Sequence, residues 1–255
     1  MMNYKKEPLI FSAAIAGCVF SIQVQHESTK LFCKSYFTDR EPEFSVSVSQ
    51  ADIDYEREKN AREEVVEGIP HREYSDAYLE TLALYRKIVN ALLDRDILLF
   101  HGSAIGVDGV CYLFTAKSGT GKSTHTRLWR QLLGQRAVMI NDDKPLLHIG
   151  ADGVTVYGTP WNGKHGLGTN TSAPLKAVCI LRRGEENEIR PITPAQALPM
   201  VLQQTLRPQG AAAMTQYLDL VDRLTANTRF WELHCNMDPS AAEVSCRAMS
   251  QERNE

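Results

Sequence analysis

The stretch that decides the fold reads Leu98-Leu99-Phe100-His101-Gly102-Ser103-Ala104, then, after a turn, Tyr112-Leu113-Phe114-Thr115 and Ala116-Lys117-Ser118-Gly119-Thr120-Gly121-Lys122-Ser123-Thr124. An apolar strand is predicted to end at Thr115, and apolar residues at helical spacing predict a helix that begins near Ser123. A strand, a glycine-rich loop and a helix in this order are typical of a phosphate-binding loop. The backbone N–H groups of such a loop surround a phosphate at the positive end of the helix.

The loop is therefore predicted to bind the phosphates of ATP. Lys122 would reach the β- and γ-phosphates, and the Ser123 hydroxyl would hold Mg²⁺. The strict pattern begins with glycine, and this chain has Ala116 instead. A chance turn is the alternative, which the flanking strand and helix disfavour. The predicted nucleotide-binding residues are Lys117, Ser118, Gly119, Thr120, Gly121, Lys122, Ser123 and Thr124.

Two adjacent acids are the second candidate feature. Asp142 and Asp143 follow a short apolar run at residues 137–140, at the predicted end of a strand. Carboxylates there could reach Mg²⁺, and one of them could accept a proton from an attacking hydroxyl. The alternative interpretation is a simple Asp-Asp turn between strands.

His101 is the third candidate. It follows the apolar residues 98–100, and Asp108-Gly109 predicts a hairpin between its strand and the strand that leads into the loop. That pairing would bring the imidazole near the phosphates. A lone histidine is more often structural, but the hairpin favours a role in the site.

These motifs together resemble the superfamily of HPr kinase/phosphorylase and ATP-type phosphoenolpyruvate carboxykinase, over roughly residues 98–160. The resemblance implies an α/β fold with a mixed β-sheet core around the P-loop. It implies that Lys122 and the loop bind ATP, that Ser123, Asp142 and Asp143 share Mg²⁺ binding and general-base duties, and that His101 lies at the reaction centre. Thr124 stands where HPr kinases carry glutamate, so HPr itself is not implied as the substrate.

The expected function is thus an ATP-dependent, Mg²⁺-requiring phosphotransferase that acts on a hydroxyl of a peptide, a protein or a small molecule. The alternative is a nucleotide-binding regulatory module that grips a peptide or partner protein without phosphotransfer. Lys164 and His165 lie in a glycine-rich loop at residues 159–168 that would allow motion and meet substrate charge; an incidental surface loop is the alternative.

Two regions are predicted along the chain. Residues 1–70 would form a small β-rich region, with strands at 9–25, 30–37 and 44–49, followed by a charged stretch at 52–67 that is a connector or a solvated helix. Residues 71–255 would form the kinase-like nucleotide-binding domain, which begins with a helix at about 75–94.

Composition narrows the class of protein. The 255 residues are 43% hydrophobic and 23% charged, which is ordinary for a globular protein. The net charge of -3 does not favour binding to nucleic acid or to an anionic membrane. None of the six cysteines forms a C-x-x-C pair, so buried thiols in a reducing compartment are expected. A signal-like run at 9–20 continues as an alternating strand, which favours the cytoplasm over export. HPr kinases are oligomers, so the resemblance allows a homo-oligomer.

Overall fold

The computed structural model describes residues 8–163 and 165–251, except for the side chain of Glu67. It divides into two compact units, the first ending at Ala91 and the second beginning at Leu92. Both strands and helices occur in each unit, so the expected α/β class is confirmed at that level. Within the described residues, no helix is both long enough and apolar enough to cross a bilayer.

The first unit pairs a small sheet with helices. Its strands are β1 (Leu9–Ile15), β2 (Cys18–Val24) and β3 (Phe44–Ser47), and its helices are α1 (Glu27–Phe32), α2 (Gln50–Glu67) and α3 (Asp76–Leu92), whose last residue already belongs to the second unit. The strands lie in the order β1-β2-β3, with β1 and β2 antiparallel and β2 and β3 parallel. The signal-like apolar run is thus a β-hairpin that turns at Ala16 and Gly17.

The prediction of a strand at residues 30–37 is wrong. That segment contains the end of α1 and a short 3-10 helix, Lys34–Tyr36. Its buried residues explain the helical conformation, because Thr29, Cys33 and Tyr36 are spaced by four and three positions rather than by two. The first unit is consequently less β-rich than the sequence suggested.

The charged stretch is a helix rather than a connector. Helix α2 begins with a capping box between Ser49 and Asp52, and it ends at Gly68 in the left-handed conformation. Its acids are paired with cations of α3: Asp52 lies 2.7 Å from the Lys87 ammonium, and Glu56, which is only 2% exposed, accepts a hydrogen bond from Arg86.

The boundary between the units falls later than residue 70, where the sequence placed it. Helix α3 belongs to the first unit because its fully buried Glu80 accepts hydrogen bonds from the backbone N–H groups of Gln25 and His26. The imidazole of His26 lies 3.0 Å from the same carboxylate. A buried carboxylate needs such partners, and they tie α3 to the end of β2.

The second unit contains the remaining elements. Its strands are β4 (Ile97–Leu99), β5 (Ser103–Val107), β6 (Val110–Thr115), β7 (Ala137–Asn141), β8 (Leu146–Gly150), β9 (Gly153–Tyr157), β10 (Ser172–Arg183), β11 (Glu188–Ile192) and β12 (Phe230–Cys235). Its helices are α4 (Lys122–Leu133), α5 (Pro194–Gln204), α6 (Ala211–Ala226) and α7 (Ser240–Ser250). Within the described part of the chain, these nine strands form one mixed sheet.

The sheet order explains how distant segments meet. The path runs β4-β8-β9-β10-β6-β5-β7, while β12 pairs with β10, and β11 pairs with β12. Strand β5 pairs with β6 through the predicted hairpin, in which Asp108 and Gly109 both have positive φ. Strand β5 also pairs with β7, so the end of β7 lies beside the hairpin that carries the glycine-rich loop.

Helix α4 is fixed under the sheet by its apolar face. The fully buried Trp129 packs against the rings of Tyr112 and Phe114, with ring centroids 5.0 and 5.1 Å apart. The hydroxyl of Ser245 on α7 accepts a hydrogen bond from Trp129 Nε1 at 2.8 Å, and it is hydrogen-bonded to His125 Nε2 at 3.0 Å. Helix α4 therefore starts from a rigid position.

His125 makes stability depend on pH. Its burial lowers the pKa from 6.5 to about 4. The unfolded chain binds this proton more tightly, so the stabilising effect of the neutral imidazole is complete above pH 6.5 and is lost as pH falls toward 4. We expect the free energy of unfolding to fall by about 3 kcal/mol over that range on account of this group.

Urea unfolding followed between pH 7 and 4 measures this loss. The variant His125→Gln keeps a hydrogen-bonding group for Ser245 but has no titrating group, so its unfolding midpoint should depend less on pH than that of the wild type. An equally steep dependence in both proteins would show that the loss comes from other groups.

Candidate functional site

The glycine-rich loop lies between the end of β6 and the start of α4, in the order of strand, loop and helix that the sequence predicted. Its turn is closed by a hydrogen bond of 3.2 Å from Thr120 N–H to the Lys117 carbonyl. Gly121 precedes the first helical residue with φ of 118°, a backbone conformation that residues with a side chain rarely adopt. The first-turn N–H groups of α4 therefore face the loop. Ala116, which replaces the usual first glycine, is fully buried in the core.

A cleft of about 750 Å³ opens at this loop. It is lined by His101, Ser118, Gly119, Gly121, Lys122, Ser123, Thr124, Thr126, Arg127, Arg130, Met139, Asp142, Asp143, Gly163, His165 and Leu167. The four predicted catalytic residues thus line a single cleft. Of the predicted loop residues, Lys117 and Thr120 do not line it. His165 does, whereas Lys164 lies outside the described residues.

Asp143 is held by a hydrogen bond from His101 and by the charges of two lysines. His101 Nε2 lies 3.1 Å from Asp143 Oδ1, and the Gly102 N–H donates to the Asp143 carbonyl at 2.9 Å. Burial alone would raise the pKa of Asp143, but the hydrogen bond from His101 and the charges of Lys144 and Lys122 lower it below its usual value. Burial in turn lowers the pKa of Lys122, against the opposing charge of Asp143. The carboxyl group of Asp143 is therefore ionised beside the Lys122 side chain.

Asp142 has a different environment. It is only 3% exposed, and its Oδ1 accepts a hydrogen bond of 2.6 Å from the Gly163 N–H. Its Oδ2 is buried and has no hydrogen-bond partner among the described residues. Burial raises the pKa of Asp142, and the neighbouring charge of Asp143 acts in the same direction. A cation beside Asp142 would offset both effects.

Asn141 organises the acidic doublet, the adjacent residues Asp142 and Asp143, and the sequence did not indicate this role. It is fully buried, and its Oδ1 accepts hydrogen bonds from the N–H groups of Asp143 at 2.8 Å and Lys144 at 2.7 Å. Its Nδ2 donates to the hydroxyl of Thr159 at 3.0 Å. One amide therefore joins the turn after β7 to the loop that follows β9.

The loop after β9, at residues 159–168, is more closely packed than its glycines suggested. The glycines of this segment suggested motion, but at Gly158, which directly precedes the loop, a Cβ atom would lie 2.1 Å from the Thr169 carbonyl oxygen. At Gly163 a Cβ would lie 3.2 Å from the Asp142 carboxylate. Close approach of the backbone, rather than mobility, is the reason for glycine at these two positions. Gly166 does have a positive φ of 60°.

A second cavity of about 440 Å³ lies at the same loop and shares Gly119, Gly121 and Thr124 with the cleft. Leu128, Leu181 and Met237 are apolar members of its lining. Arg183 also borders it, and its guanidinium donates to the Gly119 carbonyl at 2.7 Å. This bond links the end of β10 to the glycine-rich loop.

Two further basic residues of the cleft were missed. Arg127 and Arg130 lie on α4, four and seven positions after Ser123. Residues at that spacing share one face of a helix, so the predicted helix together with the P-loop motif contained the signal that would have found them.

The donor set fits Mg²⁺ better than a transition metal. Among the described residues, no group of three or more His, Cys, Asp or Glu side chains is arranged to hold a metal ion. Mg²⁺ is usually bound by one or two carboxylates together with phosphate oxygens and water. Asp142, with its unpartnered buried oxygen, and Ser123 line the same cleft and fit that requirement.

Comparisons with known proteins give little further information. No known family model matches the chain. No curated protein matches it in sequence. Among solved structures, the HPr(Ser) kinase/phosphatase from Coxiella burnetii is similar with a TM-score of 0.34 and 11% identity, over 59% of this chain and 94% of that one. A likeness of this size decides neither the family nor the activity.

Proposed function

We propose that this chain is an ATP-dependent, Mg²⁺-requiring phosphotransferase that phosphorylates a hydroxyl. The observation that carries the proposal is the cleft in which Lys122, the acidic doublet and His101 lie beside a glycine-rich loop at the start of a helix. Phosphoryl transfer depends mainly on positioning and on neutralising charge, and this set of groups can do both. Residues 92–255 then form the nucleotide-binding domain.

The loop and the second cavity would share the nucleotide. The loop N–H groups and the positive end of α4 bind the phosphates. Thr124 lines both spaces, and the apolar side chains Leu128 and Leu181 of the second cavity suit a nucleoside. The triphosphate would then cross the loop, with its γ-phosphoryl end in the cleft.

Lys122 would neutralise the transferring group. It lines the cleft at the first position of α4, beside the ionised Asp143. An ammonium group in a partly buried site stabilises charge on phosphate oxygens more strongly than it would in water.

The two acids would have separate tasks. Asp142, buried with one free oxygen, would hold Mg²⁺ together with Ser123, and bound Mg²⁺ would neutralise charge on the β- and γ-phosphates. Asp143, whose side chain is 28% exposed in the cleft, would accept the proton of the acceptor hydroxyl. His101 would hold the Asp143 carboxylate in position through its 3.1 Å contact.

Transfer of label from γ-labelled ATP to a panel of peptides and small molecules with hydroxyl groups tests the proposal. We expect Mg²⁺-dependent labelling of at least one class of acceptor, with stoichiometric formation of ADP. Tight nucleotide binding without turnover on any acceptor would contradict it and would favour a regulatory module.

A further inference from the structure

The cleft has a basic wall that the proposed chemistry does not use. Arg127 and Arg130 of α4 line it, and neither has an acidic partner or a hydrogen-bond acceptor in the part of the chain that the structure describes. Most other arginines of this unit are engaged: Arg182 and Arg190 bind Glu232, for example. Two unpaired guanidinium groups in one concave site favour an anionic ligand.

The position of these arginines separates them from the nucleotide. An α-helix rises 1.5 Å per residue, so Arg127 lies about 6 Å and Arg130 about 10 Å along α4 from Ser123. In the proposed arrangement the triphosphate would run from the loop toward the second cavity, whose lining includes neither of these arginines. The arginines therefore face the part of the cleft that is left for the acceptor.

Two apolar side chains also line the cleft. Met139 of β7 and Leu167 of the loop after β9 line it together with the two arginines. A groove with a basic wall and apolar neighbours suits an extended chain with acidic side chains. An extended peptide rises about 3.3 Å per residue, so a distance of about 10 Å corresponds to roughly three residues, and acidic side chains within that span come within reach of the two long arginine side chains.

We infer that the acceptor is a peptide segment with acidic residues within about three positions of the residue that carries the hydroxyl. Arg127 and Arg130 bind those carboxylates and so place the hydroxyl at the γ-phosphoryl end of the nucleotide. That the peptide carries a reacting hydroxyl rests on the proposed function. The binding of acidic peptides itself depends only on the two arginines of the cleft.

Binding of two labelled peptides tests the inference. Both are nonapeptides with a central serine, flanked by glutamates in one and by lysines in the other. They are titrated into the full chain with Mg²⁺ and a non-hydrolysable ATP analogue. We expect the acidic peptide to bind about tenfold more tightly than the basic one, since two partly screened charge pairs differ between them.

Charge reversal identifies the residues. The double variant Arg127→Glu/Arg130→Glu should reverse the preference and leave the affinity for the ATP analogue unchanged, which also reports an intact fold. Arg247→Glu is the matched control, since Arg247 is an exposed arginine on α7, outside the cleft and with no partner among the described residues. Arg247→Glu should keep the wild-type preference.

The results separate this inference from the phosphotransferase proposal. Equal binding of both peptides to the wild type would overturn the inference, as would parallel loss of nucleotide affinity in the double variant. Selective binding of acidic peptides that are never phosphorylated would support the inference and contradict the phosphotransferase proposal. Equal phosphorylation of acidic and basic peptides would support the phosphotransferase proposal and contradict the inference.

Discussion

Replacement of Lys122 by alanine is expected to lower phosphoryl transfer by about 10³-fold, the typical cost of removing one preorganised group that stabilises transition-state charge. Lys122 lines the cleft beside Asp143, and its ammonium is partly withdrawn from water. The other lysine of the loop, Lys117, does not line the cleft, so it is not placed to supply the charge that Lys122 would give to the phosphates. The measurement is kcat/KM for label transfer from γ-labelled ATP.

Lys176→Ala is the control for this variant. Lys176 lies on β10, in the same unit but outside the cleft, and its removal should leave transfer unchanged. Circular dichroism and unfolding midpoints close to those of the wild type would show that both variants fold. Transfer that survives in Lys122→Ala at the wild-type rate would rule out the proposed role of this lysine.

The second large effect is expected at the acidic doublet, where the two asparagine variants should differ in kind. Asp143→Asn removes the proposed proton acceptor, so kcat should fall by about 10³-fold while the Mg²⁺ concentration for half-maximal rate stays the same. Asp142→Asn removes the proposed metal ligand, so that concentration should rise, by at least the roughly 10- to 100-fold that loss of an outer-shell partner costs.

Mg²⁺ titrations of both variants at saturating ATP distinguish the two roles. Asp152→Asn serves as a control, because Asp152 lies in the exposed turn between β8 and β9, away from the cleft. An unchanged Mg²⁺ requirement in Asp142→Asn, with a raised requirement in Asp143→Asn, would contradict these assignments. Asp143 would then be the metal ligand and Asp142 the proton acceptor.

The sequence predicts the centre of the site because the relevant signals there are local. Apolar residues before the loop, Gly119 and Gly121 within it, and an apolar helical stripe after it determine a strand, a loop and a helix. Asp108-Gly109 specifies a hairpin by its own backbone preferences. The predicted hairpin places the residues that directly follow His101 beside the strand that leads into the loop, although His101 itself lies between β4 and β5 rather than on the hairpin strand. The acids reach the site through the pairing of β5 with β7, which the sequence did not predict.

Other features depend on contacts that are distant in the sequence. The role of Asn141 rests on hydrogen bonds to Thr159, and no local pattern encodes that pairing. The unit boundary depends on Glu80, whose partners Gln25 and His26 are far away in the chain. The helical segment around Cys33 was misread because a short run with few buried residues has an ambiguous period.

The central claim is that the γ-phosphoryl group of ATP lies between Lys122 and the acidic doublet. A crystal structure of the full chain with Mg²⁺ and a non-hydrolysable ATP analogue tests it most directly. The account predicts phosphates against the loop N–H groups, the terminal phosphate within hydrogen-bonding distance of Lys122 Nζ, and Mg²⁺ beside Ser123 and Asp142. A nucleotide bound elsewhere, or bound here with its base in the cleft and its phosphates directed away from Lys122, would contradict the account.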